Sequence, residues 1–146
     1  MVRKVLLATD GSSAAVRAVD FAAVLAIRQR TRLIVLHAYL PANGLHPDAA
    51  WDDGRSASRT GDPAVAVAVE VLQGVIKRLG ELGVPDVVPE LIAGPPIDAI
   101  LGSAESNDVD LIVVGARGQG TWRGTHLGSV SMAVVQRAMC PVLVVK

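Results

Sequence analysis

The 146-residue chain is 51% apolar and formally neutral, with 14 basic and 14 acidic residues, which suits a single domain over 1–146 with a sizeable core. Without a basic block, the composition argues against nonspecific nucleic-acid binding by charge, so any anion site must be local. One cysteine, Cys140, rules out an internal disulfide and fits a reducing cytoplasm, while no run approaches the ~18 uncharged apolar residues of a membrane span.

Residues 2–9 read as a first strand; the apolar run 5–8 behind Arg3 and Lys4 is too short for a signal peptide. Ser12 or Ser13 then caps a helix that runs to about residue 28, with Val19, Ala23 and Ile27 on one face. Residues 32–39 form the second strand. His37 inside it reads as a satisfied core histidine, since three histidines and one cysteine offer no zinc spacing. Residues 41–62 lack periodicity and form a long loop of the kind that serves as a lid, a binding element or a disordered segment. Within it Trp51 is read as packing on the body, and Asp52 and Asp53 as loop charges.

Asp62-Pro63 marks the second helix, whose Val65, Val69, Leu72, Ile76 and Leu79 follow helical spacing despite β-branched residues at alternate positions. Residues 86–92 are the third strand, and the helix after Gly94-Pro95-Pro96 carries Ile97, Ile100, Leu101 and Ala104 as an apolar stripe. Residues 110–115 form the fourth strand. A last helix over 129–138 turns Val130, Val134 and Ala138 to the sheet, and residues 141–145 close the chain as the fifth strand, with Cys140 a small core residue before it. Most of the strands are continuous Val/Leu/Ile runs, as expected of a parallel sheet covered on both faces; the alternation predicts a doubly wound α/β domain.

The chemistry concentrates between the fourth strand and the last helix. Gly115, Gly118 and Gly128 in the pattern Gly-x2-Gly-x9-Gly-Ser, with Arg117 and Ser129, combine accessible backbone, cations and a hydroxyl at a helix start. Such a segment cradles phosphate, because glycine lets an anion approach the backbone and the first helical turn offers unpaired N–H groups. Gly120 and Gly124 add freedom to the same loop. Arg117 and Arg123 are solvated charges or phosphate partners, while Trp122 and His126 read as packing or surface residues. No Gly-Lys pair exists for a Walker loop, and the dinucleotide fingerprint is absent.

This spacing resembles the ATP-binding signature of the universal stress protein family. The likeness extends over residues 5–12, Gly94-Pro95-Pro96-Ile97 with Ile100, and Cys140-Pro141 with the final apolar run. It implies strand order 3-2-1-4-5, a Rossmann-like sheet with helices on both faces. It also implies contacts with the triphosphate from Gly118, Gly128, Ser129 and Val130, with the adenine edge from the backbone of Ala38, and with the base pocket from Ala8. Asp10 either caps the first helix or, as the resemblance implies, accepts from ribose hydroxyls. The candidate site is therefore Ala8, Asp10 and Ala38, then Val114, Gly115, Arg117 and Gly118, then Gly128, Ser129, Val130 and Ser131. The expected ligand is ATP, with any magnesium arriving on its phosphates. The expected protein is a cytoplasmic stress-response sensor or regulator, homodimeric through its last strand, with neither nucleic acid nor membrane as partner. Slow ATP hydrolysis, autophosphorylation of Ser129 or Ser131, and nucleotide-independent interaction are the alternatives.

Overall fold

The computed structural model describes residues 1–42, 62–117 and 127–146, which carry five strands and four α-helices. In chain order these are β1 (Lys4–Ala8), α1 (Val16–Gln29), β2 (Arg32–Tyr39), α2 (Pro63–Glu81), β3 (Val87–Ala93), α3 (Pro96–Ser106), β4 (Leu111–Gly115), α4 (Ser129–Arg137) and β5 (Val142–Val145). The strands are all parallel in the order β3-β2-β1-β4-β5. β1 lies between β2 and β4, with Ala8 level with Leu36 on one side and Val114 on the other.

Side chains that alternate along the strands supply two cores. Val5, Leu7, Leu33, Val35 and Val113 face α1 and α2, whereas Leu6, Ile34, Leu36, Ile112 and Val114 face the side of α3 and α4. Burial on both faces explains the uninterrupted apolar runs. α1 meets the sheet through Ala18, Val19, Ala22, Ala23 and Ala26, small residues that let the helix lie close. Ile27, expected on that face, is 42% exposed. Each four-residue step rotates about 40° around the helix, so two steps from Val19 carry Ile27 out of the contact.

α2 begins as its Asp-Pro signal requires: an Asp62 carboxylate oxygen accepts from Ala64 N–H at 2.9 Å, and Pro63 opens the helix. Its deepest residues are Ala68, Leu72, Val75 and Leu79, with Val65, Val69 and Ile76 half-buried alongside. α3 is turned slightly from the expected stripe, since its buried residues are Ala99, Ile100 and Ser103. The Ser103 hydroxyl donates to Glu90 of β3 at 2.5 Å, so a polar anchor takes the place an apolar residue was expected to hold.

The two sheet edges differ. Pro89 stands in β3, where the ladder that sends Leu33 N–H to Asp86 O directs the Pro89 nitrogen outward, so no sheet bond is lost and the edge is blunted. β5 has no proline, and Val142–Val145 are all half-buried.

Candidate functional site

β1 sends the chain toward α1 on one face of the sheet, and β4 leads to α4 on the other. Neighbouring strands whose connections diverge leave a crevice beyond their carboxyl ends, the usual ligand position in such sheets. A cavity of about 660 Å³ opens there.

All described members of the expected site line it. Ala8, Val114 and Gly115 come from the ends of β1 and β4, and Ala38 from the end of β2. Asp10 stands in the turn after β1, and one of its carboxylate oxygens accepts from Ser12 N–H at 2.9 Å. Capping of the first helical turn falls to Ser12, whose hydroxyl accepts from Ala15 N–H at 3.2 Å within a 3-10 segment, Ser13–Ala15, ahead of α1. The cap is therefore Ser12 and not Asp10. The turn itself needs glycine: Gly11 has φ +73°, and an added Cβ would overlap Val71 of α2.

The other wall is the start of α4. Gly128 occupies the N-cap position without a side-chain cap, while its N–H donates to Ala116 O at 2.7 Å. Ser129 is exposed at the first helical position. Ser131 is buried, its hydroxyl donating to Gly115 O at 2.5 Å. Arg117 is exposed and lines the cavity. Gly118, Gly120, Trp122, Arg123, Gly124 and His126, like Trp51, Asp52 and Asp53, lie outside the described residues.

The β3 end adds residues beyond the expected site. Gly94, Pro96 and Ile100 also line the cavity, as do Tyr39 and Leu40. Their signal was present, because Gly94-Pro95-Pro96 directly follows a strand of the same parallel sheet and so reaches the same end. Gly94 is buried with φ +142°, a backbone that only glycine adopts readily, and its N–H donates to Tyr39 O at 2.8 Å. Burial, and then the nearby Asp62 charge, push the Tyr39 phenol up. Burial likewise raises the Cys140 thiol, which packs on the core beside α4 as the sequence suggested. His37 is buried, with Nδ1 2.9 Å from Thr9 O.

The sequence profile of the universal stress protein family matches residues 1–146. The chain belongs to the universal stress protein family. It is 36% identical over 143 residues to the universal stress protein Rv1636 of Mycobacterium tuberculosis, covering 98% of this chain and 95% of that protein. The fold is shared with the universal stress protein UspA from Lactobacillus plantarum at a TM-score of 0.79, with 26% identity over 99% of this chain and 98% of the other. A universal stress protein crystallised in complex with cAMP is 30% identical, with a TM-score of 0.74 over 99% of this chain and 96% of its own. Among the described residues no helix is long and apolar enough to cross a membrane.

Proposed function

We infer that this universal stress protein binds an adenine nucleotide, with ATP the expected ligand, and acts in the cytoplasm as a nucleotide-dependent stress-response sensor or regulator. One observation carries the reading. A single cavity gathers a main-chain donor and acceptor at Ala38, a carboxylate at Asp10 and an uncapped helix start at Gly128, suited in turn to base, ribose and phosphates.

The base end follows from the sheet alternation. Leu36 O accepts from Thr9 N–H and Tyr39 O from Gly94 N–H. Ala38 therefore directs its N–H and C=O toward the β1 side, where β1 has already ended at Ala8. A donor beside an acceptor matches N1 and the exocyclic amine of adenine.

The helix starts orient the ligand. Ser12 caps the turn leading to α1, Asp62 caps α2, and α3 opens on Pro95-Pro96 with Asp98 in its first turn. Proline offers no N–H, and an aspartate there opposes an anion. α4 has neither a side-chain cap nor an acidic first turn, so phosphates are favoured at Gly128, Ser129 and Val130, with Arg117 and Gly118 as further partners. Magnesium would come with the phosphates; among the described residues no three His, Cys, Asp or Glu side chains gather into a metal-holding group. Similarity to a protein crystallised with cAMP supports the adenine-nucleotide class.

The decisive experiment is to denature the purified protein, identify any released small molecules, and titrate the emptied protein with ATP, AMP and cAMP in a calorimeter. Neither co-purified nor titratable nucleotide would leave a nucleotide-independent interaction protein as the better reading.

A second copy of the chain is the expected partner. The β3 edge is blunted by Pro89, whereas β5 presents an apolar edge, and α4 packed on it leaves Met132 and Val135 exposed. Pairing β5 with a second β5 would cover that edge. A monomeric mass by light scattering at working concentration, with and without ATP, would eliminate this mode.

A further inference from the structure

Resting on the adenine-nucleotide reading, we propose that His37 is a positioning residue for base recognition. Its side chain takes the Thr9 carbonyl and so ends the β1–β2 ladder early, leaving the Ala38 N–H and C=O available to the base.

The last rung of that ladder is Thr9 N–H to Leu36 O at 3.0 Å. In a parallel pair with Ala8 level with Leu36, the next bond in register is Ala38 N–H to Thr9 O. That acceptor is held by His37 Nδ1 at 2.9 Å instead. A carbonyl can only accept, so Nδ1 carries the proton and donates, whatever the state of Nε2.

His37 and Thr9 are each only 8% exposed and line the cavity, so without the imidazole the Thr9 carbonyl would need a new donor from the fold or from the cavity. Remove the imidazole donor, and Ala38 N–H becomes the replacement that the register supplies. Zipping that rung would consume half of the base-reading edge. It would also draw Thr9 toward β2, and the Asp10 turn with it. The present course of that turn is held by Gly11 N–H on the Thr9 hydroxyl at 3.2 Å and by Ser12 N–H on Asp10 at 2.9 Å. One side chain thus serves two parts of the ligand, by sparing the Ala38 edge and by fixing the residue before Asp10.

The wild-type protein gives the first test. Amide hydrogen exchange should find Ala38 N–H fast in the nucleotide-free protein and slowed when ATP binds; a slow Ala38 amide without nucleotide overturns the proposal. The second test compares His37→Leu with His37→Asn, whose side-chain amide places a donor about where Nδ1 stands. His37→Leu should weaken ATP about tenfold and narrow the preference for ATP over GTP, whereas His37→Asn should stay within about threefold of wild type. Affinity for inorganic tripolyphosphate, which has no base, should be the same in all three. Parallel losses for ATP and tripolyphosphate would reveal a merely structural role and overturn the proposal. Wild type that fails to bind ATP sinks the adenine-nucleotide reading and this proposal together. Wild type that binds ATP and is matched by His37→Leu sinks the positioning role alone. If His37→Leu fails to fold, the exchange measurement on wild type and the His37→Asn comparison still decide.

Discussion

Ser131 donates its hydroxyl to the Gly115 carbonyl at 2.5 Å, tying the first turn of α4 to the last residue of β4. Two serines one residue apart therefore have different standing. Ser129 is exposed at the cavity, while Ser131 is 4% exposed with its proton committed to the sheet. Ser131→Ala leaves a carbonyl without that donor and should lower unfolding free energy by about 1–3 kcal/mol. Ser129→Ala should leave stability within about 0.5 kcal/mol and weaken ATP binding. Thermal melts and calorimetry on the two variants check the contrast; equal melting losses would refute it.

Gly128 offers a sharper separation of folding from binding. Aspartate is a better N-cap than glycine by a few tenths of a kcal/mol, and Gly128 has an extended backbone, φ −62° and ψ 161°, that any residue adopts. Gly128→Asp should therefore be neutral or slightly stabilising. Its carboxylate would occupy the N–H groups proposed for phosphate and add like charge, so ATP affinity should fall at least about tenfold. Unchanged ATP affinity by calorimetry would remove this helix start from the site, and the same result with Gly118→Val would remove the loop.

Strand positions were readable because both faces of the central sheet are covered, which makes most strands apolar runs; Arg32–Tyr39 was bounded to the residue. Asp62-Pro63 outweighed the alternating valines of α2 because cap chemistry is local and unambiguous. Facial detail was less legible. Ile27 and Ser103 show why: four-residue spacing drifts around a helix, and a polar residue becomes core once a distant strand supplies Glu90. The same limit applies at the site. Glycine spacing announced the α4 wall, whereas the part played by His37 depends on the register between β1 and β2, which apolar runs do not encode.

The pairing of α1 with α2 makes a small part of the stability depend on pH. Arg78 holds Asp20 through two bonds at 2.6 and 2.7 Å, and that hydrogen bonding lowers the Asp20 pKa from its ordinary value. A carboxylate with a depressed folded pKa stabilises the fold above its unfolded pKa, about 4, and loses that contribution as pH falls through the lower folded value. Both side chains are more than two-fifths exposed, so the effect is screened and small. Chemical denaturation midpoints of wild type and Asp20→Asn should differ at pH 7 and converge below about pH 4. A constant gap down to pH 2 would place the Asp20 contribution outside its charge.

ATP turnover should be slow, well under the ~1–100 per second of dedicated kinases. Phosphoryl transfer needs a positioned metal and a group that orients the nucleophile, but the start of α4 presents chiefly N–H donors. The Ser131 hydroxyl donates its proton to Gly115 O and faces away from a role as nucleophile. Asp10, the carboxylate in the cavity, already accepts from Ser12 N–H and stands where the ribose is expected. Donors that hold ground-state and transition-state phosphates alike raise affinity without accelerating chemistry. His126 is the one candidate base in the loop sequence, so it is the residue that tests this expectation. Hydrolysis at several per second, abolished by His126→Ala with ATP affinity retained, would make the protein an enzyme rather than a sensor.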